Sequence, residues 1–182
     1  ASTLILLIFL SSCGKDTQFL ITSEAVGPLK KGAQIFEVDS IFENDSLVKL
    51  VPIANTLGTQ GDVMVYEKGG AKLLLVSPEN EVDPKAIINH IQVFDSRYQT
   101  DKGLNLSSTF KDIKDHYEIK AIENAINAVV VFLKDSDVYV TIDKKQLPES
   151  LRYNYTATIE STQIPDEATF KYFMIGWDLT NN

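Results

Sequence analysis

Apolar residues recur along this chain in two textures, steps of three and four followed by short apolar runs, and the order occurs twice. Ile35, Val38 and Phe42 are spaced as one stripe of a helix, and Phe110, Ile113 and Tyr117 repeat that stripe at a constant offset of 75 residues. Gly27 leads into the first stripe and Gly103 into the second. Two short helices are predicted, and Thr109 with Asp112, preceded by Ser108, supplies N-cap chemistry for the second. Behind each helix comes a predicted hairpin. Residues 63–66 and 72–76 flank Gly69-Gly70, which readily takes the positive φ of a tight turn; residues 129–133 and 138–142 flank Asp135-Ser136-Asp137. A further strand follows a proline in each half, residues 88–94 after Pro84 and residues 169–177 after Pro165.

Residues 118–128 fit either texture, because Ile119, Ile122 and Ile126 also form a helical stripe. The matching stretch in the first half, Leu47-Val48-Lys49-Leu50-Val51, reads as a strand, so the repeat favours a strand beginning near Tyr117. The expected fold class is α+β: two tandem repeats, residues 24–101 and 102–182, each a short helix packed on an antiparallel sheet.

Ahead of the repeats stands a different pattern. Residues 4–10 are uniformly apolar and close on Ser11-Ser12-Cys13. A membrane span needs about 20 apolar residues, whereas this run is the length of a signal h-region with small residues at the cleavage positions. It resembles a bacterial lipoprotein signal ending in a lipobox. That resemblance implies a signal peptide over residues 1–12, diacylglyceryl transfer to Cys13, and a tether over residues 13–23 that carries one apolar patch, Phe19-Leu20-Ile21. With no initiator Met and no basic region before Ala1, the expectation is of a signal shortened at its start. Gly14 after the cysteine resembles the sorting pattern of outer-membrane lipoproteins, facing either the periplasm or the cell surface.

Composition narrows the partners. At 44% hydrophobic and 23% charged residues the chain is globular, and the roughly 170 residues after the signal suffice for one ordinary domain or two very small ones. The net charge of -8 lacks the basic face that a nucleic-acid backbone requires. Cys13 is the only cysteine, so a lipidated Cys13 leaves no disulfide, thiol nucleophile or thiolate metal site. One acyl chain holds a protein only marginally, so lasting attachment implies two or three.

Catalytic patterns are sparse. His90 and His116 have no His or Cys neighbour at metal-ligand spacing, and no G-x-S-x-G elbow occurs. The glycines of Gly27-Pro28-Leu29-Lys30-Lys31-Gly32 have phosphate-loop spacing, but Ala33-Gln34 stands where Lys and Ser or Thr belong. Asp135-Ser136-Asp137 reads as a turn rather than a calcium loop. No catalytic residue, metal or cofactor is therefore assigned. The expected function is a lipid-anchored, non-catalytic binding or assembly module whose partner is an envelope protein or glycan. Its alternatives are a lipid-anchored hydrolase using carboxylates, or a structural envelope protein.

One surface stands out. The last predicted strand is apolar on both faces, with Phe170, Tyr172 and Met174 alternating with Phe173, Ile175 and Trp177, and only one face can lie under a helix. If the Phe173 face is covered, Tyr172 points outward, and the same alternation turns Tyr66 and Tyr139 outward on the hairpins. These three tyrosines are expected to form a contact surface, partly exposed and mutually close.

The glycine, short amphipathic helix and hairpin, repeated at this period over residues 27–177, resemble a fold shared by two groups of proteins. One is the secreted β-lactamase inhibitor proteins with tandem helix-plus-sheet repeats; the other is the small lipoprotein subunit of the outer-membrane barrel assembly machinery. The inhibitors' disulfides have no counterpart here and no inhibitory loop matches, so the resemblance carries over no functional residue. With its signal and acidic α+β body, the chain also resembles many uncharacterised Gram-negative lipoproteins.

Overall fold

The computed structural model describes residues 17–50 and 61–177. Cys13, and Val51 of the first expected strand, lie outside the described residues. The fold class is α+β, with short helices against antiparallel sheet. In chain order the strands are β1 (Leu20–Ile21), β2 (Ala25–Val26), β3 (Leu29–Lys30), β4 (Ser46–Lys49), β5 (Val63–Tyr66), β6 (Lys72–Pro78), β7 (Ile88–Val93), β8 (Gln99–Thr100), β9 (Ile119–Asn124), β10 (Ala128–Leu133), β11 (Val138–Asp143) and β12 (Tyr172–Gly176). The helices are α1 (Val38–Ile41), α2 (Phe110–His116) and α3 (Glu149–Arg152), with 3₁₀ turns at Ile35–Glu37, Lys144–Gln146 and Ser161–Gln163.

The repeat is physical. An eight-stranded sheet runs β4-β5-β6-β7-β12-β11-β10-β9, so each helix is followed by four strands and the two sets meet at an antiparallel seam between β7 and β12. The stripes are buried as their spacing requires: Ile35, Val38 and Phe42 in the first unit, Phe110 and Ile113 in the second, with Tyr117 packed beside them. Both helix starts are closed in the same way. The Gln34 N–H donates to Glu37 Oε2 at 2.7 Å, and the Thr109 N–H donates to Asp112 Oδ2 at 2.7 Å, each reaching forward to the N3 carboxylate. The next N–H in each unit is anchored to the other end of its repeat, Ile35 to the Ala86 carbonyl and Phe110 to the Ala168 carbonyl, both at 2.9 Å.

Residues 118–128 resolve in favour of the strand, as β9 pairs with β10 from Ile119 to Asn124. Periodicity misleads there because a bulge between Phe132 and Leu133 lets the extra β9 residue, Lys120, break strict alternation. The last strand is shorter than expected. Thr169 makes an isolated bridge to Thr109, and Phe170, before β12 begins, is buried against Phe173.

The expected tether is corrected by the structure. Residues 17–23 belong to the folded body: β1 pairs in parallel with β8 in a four-stranded sheet ordered β3-β2-β1-β8, and Ile21 is buried. Phe19 sits edge-on to Tyr98 at 5.0 Å beneath the Arg97 guanidinium, 4.4 Å from its ring centre. The turn that returns the chain needs glycine, since Gly27 has φ +56° and a Cβ there would stand 2.3 Å from the Gln18 carbonyl oxygen. Both sheets and the segment between β11 and β12 share one continuous core, so the two repeats are halves of a single body.

Candidate functional site

Two adjacent rows of side chains cross the large sheet from edge to edge, one inward and one outward. The inward row is Leu47, Val65, Leu74, Val93, Phe173, Val140, Val131 and Ile122, one residue from each strand in register. Because successive side chains alternate faces, the next residue along places a second row on the outside: Val48, Met64, Leu75, Gln92, Met174, Tyr139, Phe132 and Ala121. In a chain that is 23% charged, none of these eight outward residues carries a charge, and only Gln92 and the Tyr139 hydroxyl are polar. Charge returns at the margins, with Lys72 and Glu123 in the flanking outward row. An uncharged apolar centre with a polar rim is the composition of a protein-binding surface.

The three predicted contact residues all stand on this outer face. Tyr139 opposes Met174 and Tyr172 opposes Thr141, which makes the two tyrosines diagonal neighbours across β11 and β12. Tyr66 is not with them. It lies on β5, and β6 and β7 intervene before β12, a separation of three strand spacings or about 14 Å. The expected three-tyrosine cluster is therefore corrected to a pair and an outlier, with Leu75, Gln92 and Met174 on the strands between them and Met64, in the same row, itself buried. Tyr139 also does structural work: its ring stacks on Phe132 at 5.3 Å and 26°, and covers Gly176, where a Cβ would come within 3.1 Å of the ring. Burial holds its phenol above the usual tyrosine range. Tyr172 remains 41% exposed, so it is the freer of the pair.

The aliphatic members of the row were missed by reading tyrosines alone. A signal for them exists in the unbroken apolar runs of β5, β6 and β10, where a half-solvated strand should alternate. Each run has an outward residue, Met64, Leu75 or Phe132, where polar residues belong.

The residues weighed for catalysis fall elsewhere. His90 is exposed on β7, and His116 ends α2, where its carbonyl accepts from Lys102 Nζ at 2.9 Å. Asp135-Ser136-Asp137 forms the β10–β11 turn, with Asp135 at φ 53°. This turn borders a cleft of about 630 Å³ that also receives Lys31, Glu118 and Lys134. Two of its carboxylates are engaged: Asp137 Oδ2 accepts from Lys31 Nζ, and both Glu118 oxygens from Lys134 Nζ, all at 2.9 Å. Among the described residues no three His, Cys, Asp or Glu side chains gather as metal ligands would.

No protein-family model matches this chain, and no curated protein matches it. Among solved structures, it is similar to the crystal structure of the uncharacterized protein yfeY from Escherichia coli, with a TM-score of 0.58 over 88% of this chain and 99% of that one. At 14% identity the likeness is one of fold.

Proposed function

We propose that this chain is a lipid-anchored, non-catalytic binding or assembly module of the bacterial envelope, held at the outer membrane through Cys13, and that it docks a protein partner on its open sheet face. The observation that carries the docking is the uncharged outward row crossing all eight strands. Burying a row of Met, Leu, Tyr and Phe against a complementary apolar surface is favourable at roughly 25 cal/mol per Å² of apolar surface removed from water. A glycan fits it less well, because sugars need a dense set of hydrogen-bonding groups and this row offers only two polar side chains.

The anchor is supported by the apolar run at residues 4–10 and the following Ser11-Ser12-Cys13. Among the described residues no helix is long and apolar enough to cross a membrane. In this reading the lipid is the membrane contact and the sheet face remains available to the partner.

Two experiments test the two parts separately. A photo-crosslinking residue at position 174 should give a discrete adduct in cells, lost when Leu75→Lys places a charge in the same row. An adduct that survives Leu75→Lys, or none at all, refutes the docking face. Metabolic labelling with palmitate should mark the wild type and not Cys13→Ala; labelling that persists in the variant removes the anchor.

A further inference from the structure

At the far end of the core-facing side of β9 to β11 lies a lysine in an unusual place. Lys144 opens the 3₁₀ turn after β11 and is 3% exposed, yet its ammonium has no hydrogen-bond partner among the described residues. Its nearest compensation is the Tyr155 ring, whose centre is 4.9 Å from Nζ. A second buried orphan lies at the same end of the sheet. Asn124, at the end of β9, donates through Nδ2 to the carbonyls of Asn154 and Ala157 at 3.0 and 2.7 Å, while its Oδ1 is buried without a donor among the described residues.

Register places the two on one face at one end of the sheet, and the Lys144 N–H donates to the Asn127 carbonyl in the turn after Asn124 at 3.1 Å. Asn124 opposes Val129, Val129 opposes Ile142, and Lys144 follows Ile142 by two residues, on the same face and at the same end of the sheet. The segment 154–157 roofs both, binding Asn124 through its carbonyls and covering Lys144 with Tyr155. A buried ammonium presenting three donors and a buried amide oxygen presenting acceptor lone pairs, both under one covering segment, are costly unless something satisfies them. A cation over an aromatic face is a partial substitute, attractive but with no hydrogen bond formed.

We infer that Lys144 and Asn124 form a binding site for a phosphomonoester group, closed by Tyr155. The chemistry selects that class. Phosphate oxygens accept from the Lys144 ammonium, and the proton-bearing oxygen of the monoanion donates to Asn124 Oδ1. A carboxylate or sulfate satisfies the lysine but has no proton to give the amide oxygen. Entry needs one movement, since Tyr155 is 56% exposed and can swing outward from the ammonium it covers.

The test uses the purified chain with inorganic phosphate as probe and sulfate at matched ionic strength as reference. Both salts raise melting temperature by exclusion from protein surface, so the site is read from a saturable, phosphate-specific increment. The wild type should show it, and Lys144→Met, which keeps the buried volume but removes the charge, should lack it. Tyr155→Ala, a change at an exposed ring, should tighten phosphate binding several-fold by removing the competing face. The inference is overturned if the wild type shows no saturable increment through tens of millimolar phosphate, or if Lys144→Met keeps it. Should Lys144→Met fail to fold, unchanged phosphate affinity in Tyr155→Ala overturns it instead.

Discussion

The seam between the two repeats sets how the protein unfolds, and Phe173 is the residue that tests it. Its side chain is fully buried between Val93 across one strand boundary and Val140 across the other, and it touches Phe170, 6.2 Å away centre to centre. Phe173→Ala removes an aromatic ring at a point where two four-stranded sets are joined by backbone that cannot easily collapse into the space. Substitutions of this kind cost about 3–5 kcal/mol, which for a body of this size is a fall of about 6–20 °C in melting temperature. Because the seam is hydrogen-bonded on both sides, the loss should reach both halves. Urea unfolding followed by circular dichroism and by the fluorescence of Trp177, the chain's one tryptophan, should remain a single coincident transition at lower midpoint. Hydrogen exchange should show amides of β5 and β6 losing protection along with those of β10 and β11. If β5 and β6 keep wild-type protection while the second half opens, the repeats are energetically separate and the seam does not couple them. A cost below about 1 kcal/mol would equally contradict the burial.

Other outcomes follow from the same geometry. Val38→Ala and Ile113→Ala, at matching positions of the two stripes, should each destabilise by about 2–4 kcal/mol in chemical denaturation, the isoleucine more because it loses more volume. Gly27→Ala should cost about 2 kcal/mol or more, from a positive φ together with the approach to the Gln18 carbonyl, and a neutral effect on melting would contradict that turn. Met174→Glu should leave stability within about 1 kcal/mol while abolishing the adduct formed from a photo-crosslinking residue at position 172, since Met174 is half-exposed on the same outer face. Asp45 is pushed above the usual carboxylate range by burial and then by Glu67, so its folded form binds a proton more tightly than the unfolded chain does. The associated stability is present at low pH and lost as pH rises through the folded pKa, so Asp45→Asn should raise the melting temperature at pH ~7 and have little effect below pH ~3.8.

Local pattern alone determined the parts of this protein. The stripes at residues 35–42 and 110–117 could satisfy their burial in only one way, as helix faces, and the hairpins announced themselves by apolar runs around residues able to take positive φ. For β9, ambiguous by periodicity, the repeat favoured a strand, and the pairing with β10 settled it. Tertiary structure alone decided what is joined to what. The pairing of β7 with β12 brings together strands separated in sequence by α2 and the first three strands of the second repeat, and nothing in either strand names its partner, since any apolar strand of suitable length can form the same hydrogen bonds. The two-residue strands β1 and β8 are too short to carry a period, so Phe19 and Ile21 read as tether until Tyr98, Arg97 and Thr100 closed over them. The same holds at both candidate surfaces. Tyr139 and Tyr172 become neighbours, and Tyr66 a distant member of their face, only once strand order is set. Lys144 sits in the polar stretch Asp143-Lys144-Lys145-Gln146, and it is buried where the loop that carries Tyr155 folds back across it.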